Sequence, residues 1–528
     1  MSGLVGTVAL VRFVLRRDRI RLTIWLLALV GITYASAAAV ASTYDTPQKI
    51  ASYGNNVGSS PAGIAMGGPP VALDTQGGIL VYETALTAFI GVALLAAFTV
   101  VRHTRAEEEA GRTELLVSAV VGRHAGAAAS VLVALAASVV VGLGVTWSVL
   151  DAGMPSGPAW LYGAAVTAFG AVFAGVGAVA AQLMSHGRTA TGLVLAVLGA
   201  AFALRAVGDV QESFLSWLSP MGWSQQVRVM DDNRWWPLGL SLLLLVALAA
   251  AAAVLAVHRD LGSGIVPARP GPATAARWLA SPVALAWRLQ RGTLVGWLVG
   301  MFLLGLMFGS FSQEMERMVA DNPTLAEYFE ATGGSVTDTL FATSLLFNGL
   351  GAAAFAVGSA LRVRHEESRS TLELVLASGT SRTRALLEPL AVTVVGAVAV
   401  LLTGGVGTAL ALVLTADGSV GDGLALVGYS LVYVPGVLAL AAGAVALTGL
   451  LPRMTLVAWA WLGVTFVIGW LGGLLDPPGW VSGLSPFEHL PLVPVEDLAW
   501  LPLAALSLLA TGLLGAGLAG FRRRDLAA

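Results

Sequence analysis

Acidic and arginine side chains are gathered in one short stretch of this chain, and that stretch occurs twice. The first copy, Arg105 to Arg123, reads RAEEEAGRTELLVSAVVGR, and the second, 259 residues later at Arg364 to Arg382, reads RHEESRSTLELVLASGTSR. Such clusters suit charge-complementary contact with a partner, because carboxylates and guanidinium groups set the register of a separable interface. Each copy follows one long apolar run and precedes another. Each therefore predicts a short polar helix on one membrane face, where something soluble could dock.

The two copies match residue by residue at this fixed spacing. The pairs are Arg105 with Arg364, Glu107 and Glu108 with Glu366 and Glu367, Glu114 with Glu373, Leu115 with Leu374, and Arg123 with Arg382. A single copy could equally be an ordinary solvated loop that obeys the positive-inside rule. Internal repetition favours two docking points, each with a charged rim around an apolar ridge. The ridges are Leu115, Leu116 and Val120 in the first copy, and Leu374 and Val375 in the second.

Several other kinds of chemistry are excluded by composition. The chain has no cysteine, its formal net charge is −2, and Lys49, in the context DTPQKIA, is its one lysine. A phosphate-binding P-loop needs GxxxxGK followed by Ser or Thr, so this chain is not itself a P-loop ATPase. No spacing of His, Asp and Glu indicates a metal site, and no nucleophile stands with a base. We therefore expect no catalytic residue, no metal and no nucleic-acid partner.

The composition predicts an all-α polytopic membrane protein. Hydrophobic residues make up 56% of the 528 residues, charged residues 11%, and the mean hydropathy is +0.80. Soluble domains carry about 25% charged residues, whereas a spanning helix needs about 20 apolar ones. We expect about twelve spans, near residues 22–41, 79–101, 125–150, 160–184, 189–207, 238–257, 294–312, 339–361, 385–415, 423–451, 454–475 and 500–520.

The pattern of the first six spans restarts after a segment rich in Pro, Gly and Ala. We therefore predict a first six-span half at residues 1–261, a cytoplasmic linker at 262–282, and a second six-span half at 283–528. Val8 to Arg19 and Ala284 to Arg291 are expected to form amphipathic surface helices, and residues 43–78 an outer loop. Arginines gather on one side of the twelve spans, which places both termini in the cytoplasm of a cell-membrane protein. Two parallel repeats predict a pathway at their interface.

The first charged copy resembles a known element. Its pattern Glu-x-x-Gly-Arg-Thr-Glu-Leu-Leu, followed seven residues after Leu116 by Arg123, is similar to the stretch after the second span in permease subunits of the ABC type-2 transporter family. The two-times-six layout with the HRDLGSG segment resembles the fused branch of that family, exporters of polyketide antibiotics. In the second copy Ser370 replaces Gly111, and Thr371 aligns with Arg112.

This resemblance implies that each charged element is a coupling helix fitting a groove on a cytoplasmic P-loop ATPase, which binds ATP and Mg and of which two copies would dock. The residues it assigns to that contact are Glu108, Glu109, Arg112, Glu114 and Arg123 in the first copy, and Glu366, Glu367, Arg369, Glu373 and Arg382 in the second. The chain itself would carry no cofactor. The implied function is an ATP-driven exporter of hydrophobic antibiotics or drug-like compounds.

Two further hypotheses concern the spans. Aromatic residues could line an apolar cavity for a large hydrophobic solute, although helix packing and lipid contact explain any one of them as well; they are Phe89, Phe98, Phe169, Phe173, Phe341, Phe347 and Phe355. The alternative function is an ion-coupled secondary multidrug transporter. That class needs carboxylates inside the spans, and the sequence offers Glu83, whose counterpart at 342 is alanine.

Overall fold

The computed structural model describes residues 3–58, 61–117, 121–260, 262–266, 273–274, 276–310, 336–415, 418–475 and 477–525. Within those ranges the regular structure is helical, with no strand, which confirms the all-α prediction. The chain divides into two compact units, residues 1–271 (unit 1) and 272–528 (unit 2). The division falls inside the segment 262–282.

Unit 1 contains eleven described α-helices. They are α1 (Thr7–Thr43), α2 (Pro47–Gly58), α3 (Pro61–Gly67), α4 (Gln76–His103), α5 (Arg105–Glu109), α6 (Arg112–Val117), α7 (Ala125–Asp151), α8 (Ser156–Leu183), α9 (Gly187–Val210), α10 (Pro220–Gln225) and α11 (Pro237–Val257).

Unit 2 contains ten described α-helices. They are α12 (Pro282–Ser310), α13 (Val336–Ala360), α14 (Arg362–Ser368), α15 (Thr371–Ala377), α16 (Arg382–Thr415), α17 (Val420–Ser430), α18 (Val434–Leu450), α19 (Leu456–Leu475), α20 (Gly479–Ser482) and α21 (Trp500–Arg523).

Eleven helical stretches of the described chain are long and apolar enough to cross a membrane. One of them joins α17 to α18 through the 3₁₀ turn Leu431–Tyr433. A further apolar stretch, Leu456–Trp470 in α19, is shorter and lies where the eleventh span is predicted. Many large apolar side chains of these helices are exposed, as Leu243 at 67% and Leu303 at 58%. Exposed apolar surface of this extent fits contact with lipid tails.

The predicted surface helices are not separate elements. Val8 to Arg19 continues without a break into the first span as α1, and Ala284 to Arg291 continues into the seventh as α12. Neither junction contains a proline, and α12 continues through Gly292 and Thr293, residue types that often cap helices. A helix of 37 residues is about 55 Å long, so the arginine-rich end of α1 extends well beyond a hydrocarbon core of about 30 Å.

The prediction of an outer loop at residues 43–78 was wrong in part, because this segment contains two helices. Both α2 and α3 begin at a proline, Pro47 and Pro61, and end at a glycine, Gly58 and Gly67. Proline fits the first helical position because its fixed φ suits a helix and because an N–H at that position would have no acceptor within the helix. Glycine is common just after the last residue of a helix. The spacing of these prolines and glycines therefore indicated two helices, although the overall composition of the segment favoured a loop.

Glycines allow the closest helix contacts in both units. A Cβ on Gly142 of α7 would lie 2.5 Å from the carbonyl oxygen of Gly163 in α8. In unit 2, a Cβ on Gly449 of α18 would lie 2.0 Å from the carbonyl oxygen of Gly517 in α21. Small residues at such crossings let helix backbones approach each other, which is a main source of helix association in membranes.

The charged element of each unit folds as two short helices around a left-handed residue. In unit 1, α5 and α6 meet at Gly111, with φ +71°, and in unit 2, α14 and α15 meet at Ser370, with φ +57°. Each of these residues donates its N–H to a glutamate carbonyl 2.9 Å away, Glu108 in one case and Glu367 in the other. The same turn is therefore built with glycine in unit 1 and with a strained serine in unit 2.

We expect Gly517→Ala to destabilise unit 2 by about 1–3 kcal/mol, because the added methyl meets the backbone of α18. Gly515 of the same helix faces open space, with no atom within 4 Å of an added Cβ. Gly515→Ala is the matched control and should stabilise the helix by up to about 1 kcal/mol. Thermal unfolding in detergent measures both, and equal shifts would contradict the assigned crossing.

Exchanging the two turn residues should move stability in opposite directions. Ser370→Gly relieves a left-handed conformation that disfavours a side chain and should stabilise unit 2 by about 0.5–1 kcal/mol. Gly111→Ser should destabilise unit 1 by a similar amount. The midpoint of thermal unfolding measures both changes. Shifts of the same sign in the two variants would contradict the assignment of the same turn to both units.

Candidate functional site

Glu108 of the first charged element is shared by two arginines. Its carboxylate accepts two hydrogen bonds from Arg259, at 2.6 Å and 2.8 Å, and lies 2.9 Å from Nη1 of Arg105. The remaining donors of Arg105 reach the carbonyl oxygens of Ala181, at 2.7 Å and 2.9 Å, and Ser263, at 2.9 Å. The side chain of Arg105 is fully buried. This ion-pair group thereby ties α5 to the last turn of α8 and to the chain after α11.

Unit 2 contains the same group of contacts. Glu367 accepts two hydrogen bonds from Arg524, at 2.5 Å and 2.7 Å, and lies 3.0 Å from Nη1 of Arg364. Nε of Arg364 donates to the carbonyl oxygen of Pro452, just after α18, at 3.1 Å. Cationic side chains at the C-terminal end of a helix satisfy carbonyls that have no partner in the helix and oppose its dipole.

A third arginine closes each group. Nη2 of Arg123 donates to the carbonyl oxygen of Arg259 at 3.1 Å, and Nη1 of Arg382 donates to that of Arg524 at 2.8 Å. We call each set of four residues a latch. The unit 1 latch comprises Arg105, Glu108, Arg123 and Arg259, and the unit 2 latch comprises Arg364, Glu367, Arg382 and Arg524.

Four of the ten predicted ATPase contacts are therefore occupied within this chain, namely Glu108, Arg123, Glu367 and Arg382. Three others have local partners. Arg112 forms two hydrogen bonds to Glu107, which raise the pKa of Arg112 above its usual value, and Glu109 accepts from the N–H of Gly187 at the start of α9. Glu366 pairs with Arg362 at 3.0 Å.

The remaining three predicted contacts, Glu114, Arg369 and Glu373, are exposed and form no ion pair with the residues that the structure describes. Leu374, beside Glu373, is 73% exposed. The structure does not describe the side chains of Leu115 and Leu116, and Val120 lies outside the described residues. An exposed surface with Leu374 next to Glu373 remains available in unit 2, and Glu114 is the residue of unit 1 that corresponds to Glu373.

The predicted cavity phenylalanines are mostly packed against one another or against other helices. Phe89, Phe169 and Phe173 are buried. The ring centroid of Phe169 lies 5.4 Å from that of Phe89 and 4.9 Å from that of Phe173. Phe341 and Phe355 are also buried, Phe98 is half-buried, and Phe347 stacks on Phe308 at 5.5 Å. Phe89 borders a cavity of about 40 Å³.

A larger groove lies elsewhere in unit 1. It has a volume of about 450 Å³ and runs between α7, α8 and α11, lined by residues that include Gly142, Ala168 and Leu245. This volume is in the range of sites for drug-sized molecules. Nothing in the phenylalanine pattern pointed to it, because its lining combines leucines and two tryptophans, Trp160 and Trp235, with small residues and includes no phenylalanine.

Two buried polar clusters went unnoticed in the sequence. Asp18 of α1 is 2% exposed and lies 2.8 Å from Nε2 of His103 and 3.3 Å from Nε of Arg102. Gln290 of α12 occupies the corresponding place in unit 2, where Ser359 donates to its side chain at 2.5 Å. The first cluster is charged and the second is neutral. The sequence signal for these clusters was Asp18, an aspartate among arginines, whose counterpart in unit 2 is Gln290, beside Arg291.

The other ionisable residues near the spans have local partners. Arg205 is buried and donates to the carbonyl oxygens of Ala65, at 2.9 Å, and Met66, at 3.0 Å, at the end of α3. Glu83 accepts a short hydrogen bond from Tyr53. No group of three or more His, Cys, Asp or Glu in the described part of the chain could hold a metal ion.

Two comparisons identify relatives of this chain. Residues 279–522 match the model of the C-terminal domain of the multidrug efflux system permease Rv1217c. The chain is 38% identical to the multidrug efflux system permease protein Rv1217c of Mycobacterium tuberculosis over 528 residues, which cover 99% of this chain and 96% of that protein. Identity of this extent along the whole length, in an all-α chain built of apolar helices, assigns it to the family of multidrug efflux system permeases to which Rv1217c belongs.

Proposed function

We propose that this chain is the membrane-spanning subunit of an ATP-driven exporter that moves hydrophobic antibiotics or drug-like compounds out of the cell. The observation that carries the proposal is the duplicated charged element, which is latched to its own unit and still presents Glu114 in unit 1 and Glu373 in unit 2 to solvent. The name of the Rv1217c relative, a multidrug efflux system permease, supports a drug as cargo.

The energy source in this proposal is a separate P-loop ATPase. The chain has no P-loop lysine, so ATP and Mg would be bound by the partner. Two copies would dock, one on each charged element, with the exposed Leu374 of α15 contacting the partner beside Glu373. ATP binding by the partner would displace the docked helices, and the helices behind them would follow. A pathway between two parallel repeats stays a prediction.

The orientation follows from the same arginines. The charged elements, the arginine-rich start of α1 and the end of α21 with Arg522 and Arg523 would all face the cytoplasm. Both termini would then be cytoplasmic. The groove of about 450 Å³ between α7, α8 and α11 supplies apolar surface for a hydrophobic cargo within unit 1.

The alternative is an ion-coupled transporter in which Glu83 carries the proton or sodium ion. Glu83 is exposed, lies two turns inside α4 and is hydrogen bonded by Tyr53. Carboxylates within spans often mark ion pathways. A transport assay that compares ATP with a proton gradient in proteoliposomes distinguishes the two, since only the alternative predicts that Glu83→Gln abolishes gradient-driven transport.

Reversing the exposed charges should release the ATPase. We expect wild-type chain in detergent to co-purify with its candidate P-loop ATPase, and Glu114→Arg with Glu373→Arg to lose it, with each single variant keeping part. Like charges facing each other across an interface oppose association. Glu212→Arg, at an exposed glutamate of the predicted outer side, is the matched control. Normal ATPase binding by the double variant would show that these helices are not the docking points.

A further inference from the structure

We propose that Arg259 and Arg524 are positioning residues which fix each charged helix to the end of the last helix of its own unit, so that force applied to the docked helix moves that last helix. The inference rests on the proposed function, because the force would come from the ATPase. It adds a transmission role for two arginines that lie outside the charged elements.

In each unit an arginine and a glutamate that are distant in the chain are held in a fixed geometry. Arg259 and Glu108 are 151 residues apart in the chain, and Arg524 and Glu367 are 157 apart, yet each pair is joined by two parallel hydrogen bonds. A guanidinium fork on a carboxylate fixes distance and orientation together, which a lysine or an apolar contact does not. A displacement of the charged helix is therefore passed on to the last helix of the unit with little relative movement between the two.

The side chains of both ion pairs are largely buried. The side chain of Glu108 is 9% exposed and that of Arg259 7%, while Glu367 is 2% exposed and Arg524 15%. Burying charges costs nearly as much free energy as their attraction returns, so such pairs contribute little net stability. What they supply is a defined arrangement. Well-packed apolar residues would hold these helices together equally well, so stability alone does not account for the charges.

The latch is a feature that the two units share. Other polar groups differ between them, since the charged cluster around Asp18 is replaced by the neutral one around Gln290. The latch is the same in both, including the return of Arg123 to the carbonyl of Arg259 and of Arg382 to that of Arg524. Each latch also joins its element to the end of another span, at Ala181 in α8 and after α18 in unit 2.

The test compares ATPase docking with transport in the complex of full chain and ATPase. Variants are Arg259→Gln with Arg524→Gln, the charge-preserving Arg259→Lys with Arg524→Lys, and Arg523→Gln as an exposed neighbouring control. The readouts are the ATPase bound per chain, and the amount of the dye Hoechst 33342 moved per ATP hydrolysed in proteoliposomes.

We expect the glutamine pair to keep the ATPase bound while the dye moved per ATP falls about fivefold or more, as for typical coupling between distant sites. The lysine pair should be intermediate and Arg523→Gln should match wild type. Unchanged transport per ATP in the glutamine pair would overturn the inference, and so would release of the ATPase. Failure of the wild-type chain to bind the ATPase would overturn the proposed function itself.

A tether supplies a second, independent test. Because the chain contains no cysteine, Glu108→Cys with Arg259→Cys introduces two thiols that a bifunctional maleimide can join. If position is what matters, transport per ATP should be lost in the double variant and recover after cross-linking. No recovery in a cross-linked, folded complex that still binds the ATPase would contradict the positioning role.

Discussion

Glu108 and Arg259 face each other with two hydrogen bonds at a site almost closed to water, and the arrangement of the charged end of unit 1 depends on that contact. Without it the buried carboxylate would retain only Arg105, whose other donors are committed to carbonyl oxygens of α8 and of Ser263. An unpaired charge in such a place is costly, so each member constrains the positions of the others. Unit 2 solves the same problem with Glu367 and Arg524.

The latches change the meaning of the charged repeat. Charges that match between two copies invite the interpretation that all of them meet a partner, yet Glu108 and Glu367 are turned inward. The charges that remain at the surface, such as Glu114 and Glu373, are fewer, and they stand on a base that the buried pairs hold in place. A partner that recognised only those few charges could separate easily while still meeting a rigid surface.

Much of the fold could be predicted from the sequence, since long apolar runs have few alternatives to spanning helices. The matches of Arg105 and Glu108 with Arg364 and Glu367 were also visible as a repeat. Their contacts were not, because a repeat shows which residues correspond and not which ones meet across 151 residues of chain. The groove was equally hidden: Phe169 and Phe173 pack against each other, whereas the groove of about 450 Å³ is lined by tryptophan, leucine and small residues from three helices, a combination that no pattern of phenylalanines reveals.

The position of Arg259 also bears on how the chain is made. Domains generally fold in the order in which they leave the ribosome. Every member of the unit 1 latch precedes residue 262, so that latch can close before most of unit 2 is synthesised, whereas the unit 2 latch must wait for Arg524, 157 residues after Glu367. The two charged elements would then reach their finished form at different times during synthesis of the chain.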